Sequence, residues 1–150
     1  MRRLLLLPVL ALALSACDSG TDEVSSVTIT RAEITSLSFD GSDSADQWDD
    51  LYLLFRVGGV SVRSTRSDAQ RVRATDLSYE FDFGSDIDII DLGESLVIQA
   101  LNRESNQADD ILIGATQPVS LQSLVDSSPS AREFSSVDGN FRVRLNFDYN

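Results

Sequence analysis

The sequence predicts an all-β protein: an antiparallel β-sandwich of seven or eight strands with at most one short helix. Three observations lead there. Residues 141–149 alternate strictly, with Phe141, Val143, Leu145 and Phe147 on one side and Arg142, Arg144, Asn146 and Asp148 on the other, the period-2 signature of a strand with one wet face. The runs 51–57 (LYLLFRV) and 95–101 (SLVIQAL) are short, β-rich and bounded by turn residues, as inner strands are. Helical periodicity is nearly absent, so the elements have to pack as sheet on sheet.

The chain opens on a segment that belongs to targeting and not to the fold. Arg2 and Arg3 precede an apolar run over residues 4–14, and Leu14-Ser15-Ala16-Cys17 follows; this is a charged region, a short apolar region and a small-residue cleavage site. The run is shorter than the roughly 20 residues that span a bilayer. Leu-Ser-Ala-Cys resembles the lipobox of bacterial lipoproteins, and Cys17 is the only cysteine in the chain. The resemblance implies that residues 1–16 are a lipoprotein signal peptide and that Cys17 carries diacylglycerol and acyl lipid. Each buried CH₂ of those chains contributes about 0.8 kcal/mol, enough together for a lasting membrane anchor. The expected location is therefore the bacterial cell envelope, facing the periplasm or the exterior. Residues 17–26 then form the lipidated cysteine and a polar tether, and residues 27–150 the sandwich domain.

The charge balance narrows the partners. Twelve arginines, no lysine and no histidine stand against 24 acidic residues, a net charge of −12. Such a surface repels nucleic acid. It also suits a salt-rich habitat, where self-repulsion is screened; a GC-rich genome that favours Arg over Lys accounts for it equally well. Without histidine, and with its one thiol lipidated, the chain has no Ser-His-Asp or Cys-His catalysis, no His or thiolate metal site and no disulfide. Carboxylate chemistry remains, but a glycosidase needs two acids across a sugar-sized cleft, which a short-looped sandwich hardly offers. The chain reads as a non-enzyme, and an unknown protein or lipid is the expected partner besides the membrane.

Taken in order, residues 27–37 read as a strand bent near Ala32. Residues 39–52 follow, with Asp40, Asp43, Asp46, Asp49 and Asp50 close together, too many carboxylates for a packed core. The run 51–57 is a central strand, and Gly58-Gly59 turns it into 60–63, because both glycines accept positive φ. Residues 79–83 (YEFDF) alternate as a half-buried strand, 84–93 form an acidic turn with Asp86, Asp88 and Asp91, and 95–101 is an inner strand. After the polar loop 102–110 comes a strand over 111–119, with Pro118 near its end where a missing N–H does least harm. Ser120 is placed to cap one or two helical turns over 120–125. Residues 127–136 read as a Ser/Pro loop, and Asp138-Gly139 turns the chain into the last strand.

In this order the pieces resemble a C2 domain, the calcium- and phospholipid-binding β-sandwich. The resemblance rests on Asp50-Leu51-Tyr52 after an aspartate-rich first loop, the Gly-Gly hairpin with its arginines, Thr65, YEFDF, the strand SLVIQALN, DDILIG closing a second loop, QPVSLQSL and FRVRLNF. It implies a Ca²⁺ site between the two loops, with Asp43, Asp46, Asp50, Asn102, Asp109 and Asp110 as its candidate ligands. The pattern departs from the family at Leu51, where a proline is usual, and at Ala100 and Asn102, where carboxylates are. Two readings of these residues stand side by side: a weak or degenerate Ca²⁺ site, and a solvated acidic loop that presents a non-metal interaction surface. The arginines Arg56, Arg63, Arg66, Arg71 and Arg73 likewise form either a basic patch for anionic lipid or surface pairs with neighbours such as Asp68 and Asp76. Trp48 is either an exposed tip or a plug that anchors its loop.

Overall fold

The structure is a computed structural model that describes residues 23–39 and 46–150. Residues 1–16, read above as a signal peptide, Cys17 and Asp43 lie outside the described residues.

Eleven strands among the described residues form two antiparallel sheets. In the first, β10 (Ala131–Ser135), β11 (Phe141–Tyr149), β1 (Val27–Leu37) and β5 (Tyr79–Phe81) lie side by side, and β6 (Ile87–Ile89) also pairs with β1. In the second the order is β3 (Val60–Ser64), β2 (Gln47–Val57), β7 (Ser95–Asn102) and β8 (Ile111–Ala115), with β4 (Gln70–Arg73) on β2 and β9 (Val119–Ser120) on β7. Inward residues of both sheets interdigitate. Leu51, Leu53 and Phe55 of β2 and Leu96, Ile98 and Ala100 of β7 meet Ile29, Ile34, Phe141, Val143 and Leu145 in one buried cluster. The all-β sandwich expected from the alternation is the fold found.

The loose alternation of the first strand has a specific cause. β1 carries two register shifts against β11, between Ile29 and Arg31 and between Ile34 and Ser36. Each bulge flips the side-chain phase, so Val27 and Ile29, then Ala32 and Ile34, then Leu37 all face inward. The bends therefore flank Ala32 and do not fall on it. Ser25 and Ser26, read as tether, prolong this strand pair: both backbone N–H groups donate to the Asn150 carbonyl, at 2.6 and 3.0 Å.

Two segments read as loops are strands. Ile87–Ile89 sits inside the acidic turn 84–93 and pairs with β1, while Ala131–Ser135 sits inside the Ser/Pro loop and pairs with β11. The strand expected over 111–119 is broken in two, with Pro118 in the gap between β8 and β9. Helix α1 (Leu121–Ser127) is present, and the Ser120 hydroxyl caps it by accepting from the Ser123 N–H at 3.3 Å. The Gly58-Gly59 turn has φ of 56° and 82°, the conformation that hairpin requires.

The sheets approach closely at Gly114 on β8, where an added Cβ would lie 2.9 Å from the Phe141 Cβ and 3.3 Å from the Ser136 Cβ. Neither neighbour is the free end of a side chain, so the contact cannot be relieved by a rotamer change. Gly114→Ala is expected to lose about 1–3 kcal/mol through overpacking, read by urea unfolding. An unchanged unfolding midpoint would show that the sheets are not this close.

Candidate functional site

β2 and β7 are paired from Leu51↔Asn102 to Val57↔Leu96. Their antiparallel register places the start of β2 and the end of β7 at one end of the sandwich. Asp49 and Asp50, at the start of β2, and the loop 103–110 therefore lie at that end. A third segment is brought in by Thr65, which follows β3. Its buried hydroxyl accepts from the Leu53 N–H at 3.0 Å, and its own N–H donates to the Leu53 carbonyl at 3.0 Å. That clamp fixes the next residue, Arg66, beside Tyr52 and the second loop.

The centre of the site is Asp110, whose side chain is 2% exposed. One carboxylate oxygen accepts from Arg66 Nε at 2.6 Å and from the Tyr52 hydroxyl at 2.8 Å. The other accepts from Arg66 Nη2 at 3.0 Å and from the Glu104 N–H at 2.8 Å. Arg66 Nη2 also donates to the Glu104 carbonyl at 2.8 Å. A second pair extends the network. Arg103 Nη1 donates to the Arg66 carbonyl at 3.1 Å, and Arg103 Nη2 donates to Asp50 Oδ1 at 2.6 Å. The Arg103 N–H donates to the Asp50 carbonyl at 2.9 Å, and the Asp50 N–H donates to Asn102 Oδ1 at 3.3 Å. Two carboxylates and two guanidiniums thus tie three segments together, and a third carboxylate, that of Glu104, accepts from the Asn102 amide at 3.4 Å.

The electrostatics follow from these contacts. The Arg66 guanidinium holds the Asp110 carboxyl well below the usual carboxylate range, against the opposing effect of burial. The Tyr52 phenol is pushed up to about 12, by burial first and then by its hydrogen bond to Asp110 and that group's charge. Arg66 is itself pushed up, chiefly by its hydrogen bond with Asp110.

Of the six residues that the C2 resemblance offers as calcium ligands, Asp50, Asn102 and Asp110 are gathered in this network. Asp46 is exposed, with φ of 42°, and Asp109 is exposed in a single 3₁₀ turn, Gln107–Asp109. Asp50, Asn102 and Asp110 do not fit a calcium ion. A carboxylate offers about four lone-pair directions, and those of Asp110 all carry hydrogen bonds; Ca²⁺ needs about six to eight oxygens. Two guanidiniums already balance the charges of Asp110 and Asp50. Among the described residues no three carboxylates gather as metal ligands.

The five arginines of the hairpin region are dispersed. Arg56 donates to the Gly59 carbonyl, Arg63 to the Ser85 hydroxyl at 2.9 Å, and Arg73 to the Gln47 side-chain carbonyl at 3.2 Å. Arg71 pairs with Asp49 at 2.7 Å and Arg66 with Asp110. The pairing expected with the Asp68 and Asp76 carboxylates is replaced by more distant acids, and Asp76 instead accepts from the Arg73 backbone N–H. Trp48 is a plug: it packs on the core, and its indole N–H donates to the Ser38 carbonyl at 2.8 Å. Sequence reasoning assigned no site role to Tyr52, Arg103 or Glu104. A lone arginine directly after Asn102 was the one available signal. Among the described residues, surface depressions lie along β5 and the turn after it, lined by Arg31, Glu80, Asp82 and Gly84.

No family model and no curated protein matches this sequence. Among solved structures, the chain is similar to a structure of the A and B C2 domains of Extended-Synaptotagmin 2, with a TM-score of 0.52 and 14% identity over 95% of this chain and 48% of that one. The fold is C2-like. This chain spans about half the length of that relative. A structure of a C2 domain gives a TM-score of 0.45 and 8% identity, covering 82% of this chain and 97% of that one. At such identities the likeness is one of backbone path, and the loop-end chemistry of the C2-like sandwich is read from its own residues.

Loss of the central carboxylate should weaken the fold more than loss of its neighbour. Asp110→Asn leaves the Arg66 charge unpaired beside a buried amide and is expected to lower the melting temperature by on the order of 10 °C. Asp50→Asn, at a side chain 43% exposed, should lower it by no more than about 2 °C; equal effects would show that Asp110 is not the centre. The pH profile has two arms. Asp110 is held low, so its contribution is complete above about pH 4 and is lost as the pH falls below that. The Tyr52 phenol is raised, so its contribution is complete below about pH 10 and is lost as the pH rises towards 12. Melting curves should show Asp110→Asn flattening the acid arm and Tyr52→Phe flattening the alkaline one.

Proposed function

We propose that this chain is a membrane-anchored bacterial lipoprotein whose C2-like sandwich is a non-catalytic binding module for a protein partner in the cell envelope. The anchor reading rests on Leu14-Ser15-Ala16-Cys17 and on Cys17 being the only cysteine. The binding reading is carried by one observation, the outer face of the β3-β2-β7-β8 sheet. Inward positions of β2 and β7 are fully buried, so the alternate positions face out. They align in the cross-strand rows Tyr52–Leu101–Leu112, in which Tyr52 is itself covered, Ser64–Leu54–Gln99–Ala115 and Arg56–Val97. Those rows hold one charged side chain, Arg56, on a chain with 24 acidic residues. Leu112 is 53% exposed, and Leu54, Val97 and Leu101 are half-buried. The Tyr52 hydroxyl is held by Asp110, but the rows themselves carry no carboxylate, and such an apolar face has the character of the centre of a protein interface, where charge is depleted. The reading needs no calcium at Asp50, Asn102 and Asp110, which favours a non-metal accessory role over a calcium-gated one.

Cys17→Ser is expected to move the protein from the membrane pellet to the soluble fraction and to abolish palmitate labelling. Retention of both in the variant would remove the anchor. A photo-crosslinker at Val97 should capture an envelope protein that one at Glu33, on the other sheet, does not, and Leu112→Asp should abolish the adduct. Capture that is equal from both sheets would remove the binding face.

A further inference from the structure

We infer that Arg66 and Arg103 are built-in counter-cations that close the loop end of this C2-like sandwich, in the place where a divalent cation would otherwise have to neutralise Asp50 and Asp110. Four features carry this. Asp110 is 2% exposed, a burial that a carboxylate sustains only with its charge balanced. The balancing group is the fork of Arg66, which reaches both carboxylate oxygens, at 2.6 and 3.0 Å. Arg66 comes from the β3–β4 turn and not from either acidic loop, so the closure is made by a third segment that Thr65 locks to β2. Arg103 pairs with one oxygen of the more exposed Asp50, at 2.6 Å, and joins the two halves through the Arg66 carbonyl.

The consequence is a loop end whose geometry does not depend on a dissolved ion. With both arginines in place, an approaching divalent cation meets two positive charges and an Asp110 with no lone pair left to give. With Arg66 removed, Asp110 regains two acceptor positions and a net negative charge, and the end becomes receptive to a cation it now excludes. Loss of the lipid on Cys17 would leave this behaviour untouched.

Melting curves of the full chain in detergent micelles test the inference, with about 10 mM CaCl₂ compared against EDTA at matched ionic strength, a concentration above the millimolar range of weak extracellular calcium modules. The wild type should be unmoved. Arg66→Ala should melt lower in EDTA and recover about 3–6 °C with Ca²⁺, saturably, with the recovery abolished by adding Asp110→Asn. Arg103→Ala, at a side chain 33% exposed, supplies a variant that folds if Arg66→Ala does not; it should melt lower in EDTA by no more than about 2 °C and regain that difference with Ca²⁺ through Asp50. Stabilisation of the wild type by Ca²⁺ to the same degree would overturn the inference. So would folded arginine variants that stay indifferent to it, which would leave the arginines as ordinary ion pairs.

Discussion

Asp110 cannot be buried without Arg66, and the conformation of the whole loop end depends on that pair. A carboxylate withdrawn from water loses its hydration, and only a charged donor set of good geometry restores the loss. Here the set is complete: two contacts from one guanidinium, one phenol and one backbone N–H. Each donor belongs to a different part of the chain. Satisfying one side chain therefore positions β2 through Tyr52, the β3–β4 turn through Arg66 and the second loop through Glu104. No apolar contact of similar size would specify three segments at once, because dispersion and hydrophobic contact have no direction.

Arginine is the residue this geometry requires. Its planar fork meets both oxygens of a carboxylate, and the same Nη2 that reaches Asp110 reaches the Glu104 carbonyl. A lysine ammonium is a point donor and would leave one side of Asp110 open. The absence of lysine from the chain fits either a genomic bias or a salt-rich habitat. At this site it also has a structural use, since both cationic positions engage backbone carbonyls and carboxylates together.

Much of the fold was legible in the sequence because its inner strands alternate or run apolar without interruption. β11 is the clearest, and the Gly58-Gly59 hairpin and the Ser120 cap were read from residues whose conformational preferences are strong. The short strands were not legible. β6 buries only Ile87 and Ile89, and β10 only Phe134, so neither carries a local pattern that outweighs its acidic or Ser/Pro surroundings. They exist because β1 and β11 offer unpaired edges to them. β1 itself looked irregular because two bulges reset its phase. At the loop end, the convergence of Asp50 with Asn102 and Asp110 was readable from spacing and resemblance. The closing arginine was not, because Arg66 lies 44 residues from Asp110 in a hairpin region where five arginines look alike. Only the Thr65 clamp on Leu53 distinguishes it, and that is a tertiary fact.

Burial separates this pair from the others in the molecule. Arg31–Glu80 and Arg71–Asp49 are about half exposed on both partners, so dissolved ions screen them and they contribute little at any ionic strength. Asp110 lies beyond the reach of that screening. In high salt the surface pairs of this acidic sandwich fade, and its overall self-repulsion fades with them, but the arrangement of the loop end persists. An ion-dependent closure would behave in the opposite way, since it would assemble only where the cation is supplied. By carrying its own cations the C2-like sandwich keeps one end fixed across changes in salt.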